Sequence, residues 1–113
     1  MRAIRVSFDS LKSQVETYLK TENYKVAWDS IYRFLDLVPN YDLAEELRDD
    51  VLRQTAMRAS QFYNQARVFE FEADDLIAAE QYYKRVMETA DPRGDLIKKA
   101  ERRYAEVKRK NIQ

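Results

Sequence analysis

Three pairs of adjacent carboxylates, at positions 45–46, 49–50 and 74–75, are the residues of this sequence best suited to acid–base chemistry. A catalytic pair needs two opposed carboxylates in a dry cleft, where their pKa values separate. Neighbouring side chains on a helix point about 100° apart, so we expect these pairs to face water. The pattern predicts no catalytic residues and a protein that is not an enzyme.

The sequence also lacks the residues that most other common catalytic and metal sites require. The chain has no cysteine and no histidine, which removes thiol nucleophiles, disulfides, histidine-based triads and the commonest metal sites. The segment 91–95, DPRGD, is too short for a calcium loop, and there is no glycine-rich phosphate loop. We therefore expect no metal ligands, no cofactor-binding residues and no cofactor.

A basic segment near the C-terminus is the one candidate for binding anions. Residues 98–110, KKAERRYAEVKRK, hold seven basic and two acidic side chains. Such a helix could contact the phosphates of nucleic acid or anionic lipid headgroups. However, the helix dipole also favours basic side chains at the C-terminal end of a helix. The segment also lacks interleaved aromatic side chains on which nucleobases could stack. Anion binding is therefore one alternative function, and a nucleic-acid partner is not favoured.

The composition predicts an all-α protein. Of the 113 residues 45% are hydrophobic and 35% charged, with only one glycine and two prolines, so the chain has the core of a globular domain and few turn formers. No apolar run approaches the ~20 residues of a membrane span, and the N-terminus lacks the apolar core of a signal peptide. The expected compartment is open: cytoplasmic by default, and compatible with a place in a larger or membrane-associated protein.

The two ends are predicted to lie outside the helical domain. Residues 2–8, RAIRVSF, alternate apolar and polar side chains, which is typical of a short strand. We expect a strand-like or disordered tail over 1–7, and a strand here could be donated to a neighbouring domain or partner. The helical domain is predicted to cover 8–110, with a second tail at 111–113.

Apolar side chains recur every three or four residues through the rest of the chain. This spacing predicts five helices, at about 8–21, 24–38, 42–73, 75–90 and 92–110. The first two helices are expected to bury Phe8, Leu11, Val15, Tyr18, Leu19, Tyr24, Ala27, Trp28, Ile31, Phe34, Leu35 and Val38. The other three are expected to bury Leu43, Leu47, Val51, Thr55, Ala59, Phe62, Ala66, Phe69, Ala73, Leu76, Ala79, Tyr82, Tyr83, Val86, Met87, Leu96, Ile97, Ala100, Tyr104 and Val107.

Capping residues predict where these helices meet. Pro39 and Asn40 should end the second helix. The pair at 74–75 should cap the fourth. Asp91 followed by Pro92 is typical of an N-cap with proline at the first helical position, and should begin the fifth.

The sequence also contains an internal repeat. Placing Ala27 on Ala79 aligns YKVAWDSIYRFLDLVP with LIAAEQYYKRVMETAD. Both segments resemble the second helix of a tetratricopeptide repeat, in which an aromatic residue opens the helix, a small alanine permits close packing and a proline ends the unit. In the first unit the positions that match the family are Tyr18, Tyr24, Ala27, Leu35, Leu37 and Pro39. The signature of the repeat as a whole consists of Tyr18, Tyr24, Ala27, Trp28, Ile31, Phe34, Pro39, Ala79, Tyr83, Val86 and Pro92.

The resemblance covers 8–40 and, with fewer matches, 60–92. It departs from the family at Leu11, Gln14 and Val15, where the family favours Trp, Leu and Gly, and Ile31 is aliphatic where the family usually has an aromatic. It implies antiparallel helical hairpins, a fragment of an α-solenoid, with helix 5 as an end cap.

The spacing of the two units leaves two architectures open. From Glu22 to Asp74 the separation is 52 residues, whereas the family period is ~34. Either 42–73 is one long central helix, or a break near 54–57 hides a degenerate third hairpin. The absence of glycine and proline from 42–72 favours the single helix.

The family resemblance implies a function in protein binding. The family's usual ligand face is lined by the first helix of each pair, which implies Lys12, Glu16, Lys20, Arg58, Gln61 and Gln65 as partner-binding residues. The Lys/Asn arrangement that holds a terminal carboxylate in chaperone-binding members does not occur. We therefore expect a scaffold or adaptor that binds a protein or peptide within a larger protein or assembly. The alternative is a structural assembly element that self-associates into a homo-oligomer.

Overall fold

The computed structural model describes residues 2–112, and all regular secondary structure within that range is helical. The helices are α1 (Arg2–Lys20), α2 (Tyr24–Leu37), α3 (Asp42–Phe71), α4 (Leu76–Thr89) and α5 (Asp95–Ile112). The prediction of an all-α chain is confirmed. The chain forms two compact units, of which the first ends at Arg53 and the second begins at Gln54.

The first unit buries one face of each of its helices. α1 packs on α2, and Trp28, which has no exposed surface, stacks on Tyr32 with 5.9 Å between ring centroids. The prediction that Trp28 lies in the core is therefore confirmed. The buried residues of this unit are Phe8, Leu11, Val15, Ala27, Trp28, Ile31, Tyr32, Ala44, Leu47 and Val51.

The N-terminal segment is helical, and the predicted strand or tail over 1–7 is wrong for the described residues 2–7. Ile4, Phe8 and Leu11 are also spaced four and three residues apart, so the same side chains fit a helical face. Phe8 is buried, whereas Val6, which the strand pattern would place beside it, is largely exposed. Met1 lies outside the described residues.

The second unit is built from the second half of α3 with α4 and α5. α4 packs on α5, and aromatic pairs join α3 to α4: Tyr63 meets Tyr83 at 5.7 Å and Phe69 stacks on Tyr82 at 5.4 Å between centroids. The buried hydrophobic residues are Ala59, Ala66, Ala79, Tyr83, Val86, Ala90, Ile97, Ala100 and Val107.

α3 is a single helix of 30 residues. The alternative break near 54–57 is wrong, because these residues are helical and Thr55, at their centre, is buried. Two acids, Asp42 and Glu45, lie in the first turn, where the helix dipole favours them. The helix ends at Phe71, so Ala73, which was predicted to face inward, lies beyond it and is exposed.

Three residues other than glycine adopt the left-handed backbone conformation in the turns. They are Glu22 (φ 58°), Asn40 (φ 62°) and Asp74 (φ 52°), each a few residues after a helix end. At the first turn the amide of Asn23 donates to the carbonyl of Tyr18 at 2.8 Å, which satisfies an end carbonyl of α1. These turns explain how a chain with one glycine can reverse direction between helices.

The starts of α4 and α5 differ. Asp75 caps α4 as predicted, since its carboxylate accepts a 3.0 Å hydrogen bond from the amide of Ala78. Asp91 instead accepts from the amide of Arg93 at 2.9 Å within a turn, and α5 begins only at Asp95. Pro92 therefore belongs to the turn and not to the first helical position. At the other end, 111–112 belong to α5 rather than to a tail, and Gln113 lies outside the described residues.

Candidate functional site

Within the second half of α3, residues 54–69 carry positive charge only. From Gln54 to Phe69 the helix has two arginines, Arg58 and Arg67, and no acidic side chain. Because the first half is acidic from Asp42 to Asp50, the charge of α3 changes sign along its length. The basic half belongs to the second unit.

An exposed stripe follows this half of the helix. Its members recur at steps of three or four residues and fall within an arc of about 80° around the helix axis. Met57 is 72% exposed, Phe71 is 55% exposed and Val68 is 40% exposed, so large apolar side chains lie at both of its ends. The α3 stripe consists of Met57, Gln61, Asn64, Val68 and Phe71.

A shallow depression lies at the N-terminal end of the α3 stripe. It has a volume of about 430 Å³ and is wide open to solvent. Its lining is apolar at Met57 and Phe62 and polar at Gln54, Arg58 and Gln61. A surface of this kind suits a side chain of another protein better than an enclosed small molecule.

The ring of Phe62, which lines the depression, makes cation–aromatic contacts with two arginines. The guanidinium carbons of Arg58 and Arg85 each lie 5.8 Å from the ring centroid of Phe62. Arg85 also lies 4.8 Å from the ring centroid of Tyr82 on α4. These contacts restrain the arginine side chains, which lowers the entropy that binding would cost.

Three cations surround Phe71 at the other end of the stripe. The charged groups of Arg67, Arg103 and Lys110 lie 5.7, 5.1 and 5.5 Å from its ring centroid. Arg103 and Lys110 come from α5. Aromatic residues and arginine are both enriched at protein–protein interfaces.

The buried carboxylate of Glu70 binds two of these cations, Arg103 and Lys110. Its side chain has no exposed surface. It accepts hydrogen bonds from Nε of Arg103 at 3.1 Å, from Nη2 of Arg103, from Nζ of Lys110 at 3.0 Å and from the hydroxyl of Tyr83 at 2.8 Å. Both carboxylate oxygens are therefore satisfied, and α3, α4 and α5 are joined through one side chain.

Burial and hydrogen bonding act in opposite directions on the pKa of Glu70. Burial alone raises it, but the hydrogen bonds from Arg103, Tyr83 and Lys110 outweigh burial and leave the pKa below its ordinary value of 4.5. Burial, followed by the hydrogen bond to Glu70, raises the pKa of Tyr83. Both groups therefore hold their ordinary charge at neutral pH, and neither is poised to exchange a proton there.

The six residues predicted to bind a partner are all exposed. Arg58 and Gln61 line the depression together, and Gln65 lies one turn further along α3. Lys12, Glu16 and Lys20 lie on α1 in the first unit, at spacings of four residues. Within that unit Lys12 lines a smaller depression of about 120 Å³, whose acidic members include Glu46 and Asp50. The role of these six residues stays a prediction.

Three of the six acids in the carboxylate pairs have structural partners. Asp49 accepts a 3.3 Å contact from Arg48, and Asp50 pairs with Arg53, both at exposed positions where ion pairs contribute little. Asp75 caps α4. No cluster of three or more potential metal ligands occurs among residues 2–112.

The basic segment of α5 divides into two sets. Arg103 and Lys110 point to Glu70, Arg109 pairs with Glu106, and Lys108 lies over the ring of Tyr104 at 5.3 Å. The remaining bases of this segment, at 98, 99 and 102, are exposed. Packing and pairing thus account for four of the seven bases. Over the described part of the chain, no helix combines the length and the apolarity that crossing a bilayer requires.

Sequence reasoning missed Glu70 and Phe71. Glu70 follows Ala66 by four residues and so falls in the register of the buried face of α3. An acid in a core register is a signal for a buried ion pair, because an unpaired buried charge is very costly. Its cations come 33 and 40 residues later, a distance over which periodicity says nothing.

Comparisons of the chain with protein-family models, with curated proteins and with solved structures found no match.

Proposed function

We propose that this chain is a non-enzymatic protein–protein interaction module, a scaffold or adaptor of tetratricopeptide-like hairpins within a larger protein or assembly. The observation that carries the proposal is the exposure of Met57. A large apolar side chain in the middle of a 30-residue helix stays 72% exposed. It lies beside a depression that also contains Arg58 and Gln61.

The packing within each unit supports the tetratricopeptide-like part of the proposal. Ala27 of α2 and Ala79 of α4, which the internal repeat aligns, are both without exposed surface. Ile31 and Tyr83, which the repeat also aligns, are likewise fully buried. Small residues at such positions let neighbouring helices approach closely, as stacked helical hairpins require.

Site-specific photo-crosslinking in the cells that produce the protein tests this function. A photoreactive benzoylphenylalanine would replace Gln61, which lines the depression, and in a second variant Glu101, an exposed residue of α5 that does not. We expect one discrete adduct with another protein from position 61 and none from position 101. The absence of any adduct at 61, or the same adducts from both positions, would contradict the proposal. An adduct with the mass of two copies of this chain would favour the self-association alternative.

A further inference from the structure

We propose that the α3 stripe and the cations beside it bind an acidic amphipathic segment of a protein partner. The inference rests on the proposed function and adds the surface and the chemistry of the partner. The stripe would receive the apolar side chains of the segment, and Arg58, Arg67, Arg103 and Lys110 would receive its carboxylates.

The length and shape of the stripe favour a helical or extended segment. From Met57 to Phe71 the stripe covers 15 residues of α3, or ~21 Å at a rise of 1.5 Å per residue. Apolar groups lie at its two ends and amide side chains, Gln61 and Asn64, lie between them. A partner helix that presents apolar side chains near both ends of one face, about three turns apart, matches this spacing.

The charges beside the stripe favour an acidic partner. Arg58 and Arg67 are the charged residues of α3 between 54 and 69. Arg103 and Lys110 add two positive charges at Phe71, against the single buried charge of Glu70. Of the other acids near this end, at 72, 74 and 106, Glu106 pairs with Arg109.

Preorganisation makes these cations better anchors than ordinary surface bases. Arg103 binds Glu70 through Nε and Nη2 and Lys110 binds it through Nζ, so both side chains are already fixed. Their side chains remain 31% and 37% exposed. Arg103 has five N–H donors and Lys110 has three, so each retains donors for a carboxylate that arrives from solvent. Because the ordering entropy is already lost in the folded state, binding costs less.

A protein segment fits this surface better than a polyanion does. Glu106 and the acids at 72 and 74 are close in sequence or space to the cations and would repel a densely charged phosphate backbone or an anionic membrane. Discrete carboxylates can be placed on individual arginines, whose planar fork matches them. The apolar side chains of the stripe would have no counterpart on a phosphate backbone.

Fluorescence anisotropy with defined probes tests the inference. The probe is a fluorescein-labelled peptide with leucines on one helical face and glutamates elsewhere, and its control has glutamines in place of the glutamates. A single-stranded oligonucleotide and vesicles of phosphatidylserine are the competing anions. We expect the full chain to bind the glutamate peptide, to bind the glutamine peptide at least about fivefold more weakly, and to bind both competing anions more weakly than the glutamate peptide.

Variants locate the binding surface. Phe71→Ala and Arg67→Gln change exposed side chains, and each should weaken binding about threefold to tenfold. Ile77→Ala on α4, which is also exposed but lies outside the stripe, should change it less than about twofold. Circular dichroism shows whether each variant is folded, and Arg67→Gln keeps the test decisive if Phe71→Ala is not.

Equal binding of the two peptides, unchanged affinity in folded Phe71→Ala and Arg67→Gln, or tighter binding of the oligonucleotide or the vesicles would each overturn the inference. A crosslinked partner at position 61 would then still support the interaction module without an acidic ligand. Loss of that crosslink would count against the proposed function itself.

Discussion

The hydroxyl of Tyr83 donates a 2.8 Å hydrogen bond to Oε1 of Glu70, a carboxylate whose side chain has no exposed surface. The pair joins α4 to α3, and Arg103 and Lys110 join α5 to the same carboxylate. A buried charge is tolerated only when its hydrogen bonds are complete. The packing of α3, α4 and α5 in the second unit therefore depends on one fully paired acid.

Tyr83→Phe isolates the contribution of that hydroxyl. The variant keeps the buried ring and leaves Glu70 with Arg103 and Lys110. Because the lost hydrogen bond has a charged acceptor, we expect the free energy of unfolding to fall by about 1.5–3 kcal/mol. Urea denaturation measures the change. Tyr63→Phe keeps the ring contact with Tyr83 and should cost less than about 0.5 kcal/mol. Equal losses in the two variants would show that the hydrogen bond to Glu70 has no special weight.

Acid should weaken the second unit through Glu70. Its pKa lies below the ordinary 4.5 in the folded chain, because the hydrogen bonds from Arg103, Tyr83 and Lys110 outweigh its burial. A group with a lowered folded pKa contributes stability above its unfolded pKa and loses it as the pH falls through the folded value. The free energy of unfolding should therefore fall as the pH drops below about 4.5.

Glu70→Gln gives this pH dependence its control. The variant should be less stable at neutral pH, by about 3 kcal/mol, and its stability should change less between pH 5 and pH 3 than that of the parent. Glu106 also has a lowered pKa through its hydrogen bond to Arg109, so Glu106→Gln serves to subtract that surface contribution. An identical acid response in Glu70→Gln and the parent would exclude Glu70 as its source.

The helical periodicity of the sequence was sufficient to predict much of the fold, but it did not predict the candidate binding surface on α3. The aligned alanines Ala27 and Ala79 are fully buried, as their spacing predicted, because helical periodicity is set by neighbours within one or two turns. The N-terminal turns were misread because Ile4 and Phe8 fit both a strand and a helix. Glu70 lies in the buried register of α3, but the groups that pair with it belong to α4 and α5, which periodicity does not reveal. The exposure of Met57 could not be predicted either, since periodicity identifies the buried face but not which outer apolar residues lack a neighbour.

The continuity of α3 can be tested with proline. Met57 is exposed, so Met57→Pro removes little packing and reports mainly on the helix backbone. In a helix interior it should cost about 3 kcal/mol or more. Met57→Ala, the matched control, should change the free energy of unfolding by less than about 0.5 kcal/mol. Thermal unfolding of both variants gives the comparison, and a Met57→Pro protein as stable as Met57→Ala would contradict an unbroken α3.

The close packing of α2 can be tested at Ala27, which has no exposed surface. Ala27→Leu adds three carbon atoms to the tightly packed core of the first unit and should cost roughly 1–3 kcal/mol. Ala105→Leu on the exposed side of α5 should be close to neutral. Emission of the buried Trp28 reports the unfolding of the first unit. Matching stabilities in the two variants would remove the support that Ala27 gives to the tetratricopeptide-like proposal.

Hydroxyl-radical footprinting with the partner captured at position 61 tests most directly the central claim, that the outer face of α3 contacts another protein. In the free chain Met57 and Phe71 should be oxidised and the buried Trp28 should not, in keeping with their exposure. On adding the partner, we predict that oxidation of Met57 and Phe71 falls severalfold while that of Leu37, 79% exposed in the first unit, stays the same. Unchanged oxidation of Met57 and Phe71 in the complex, with protection at Leu37 instead, would contradict the account.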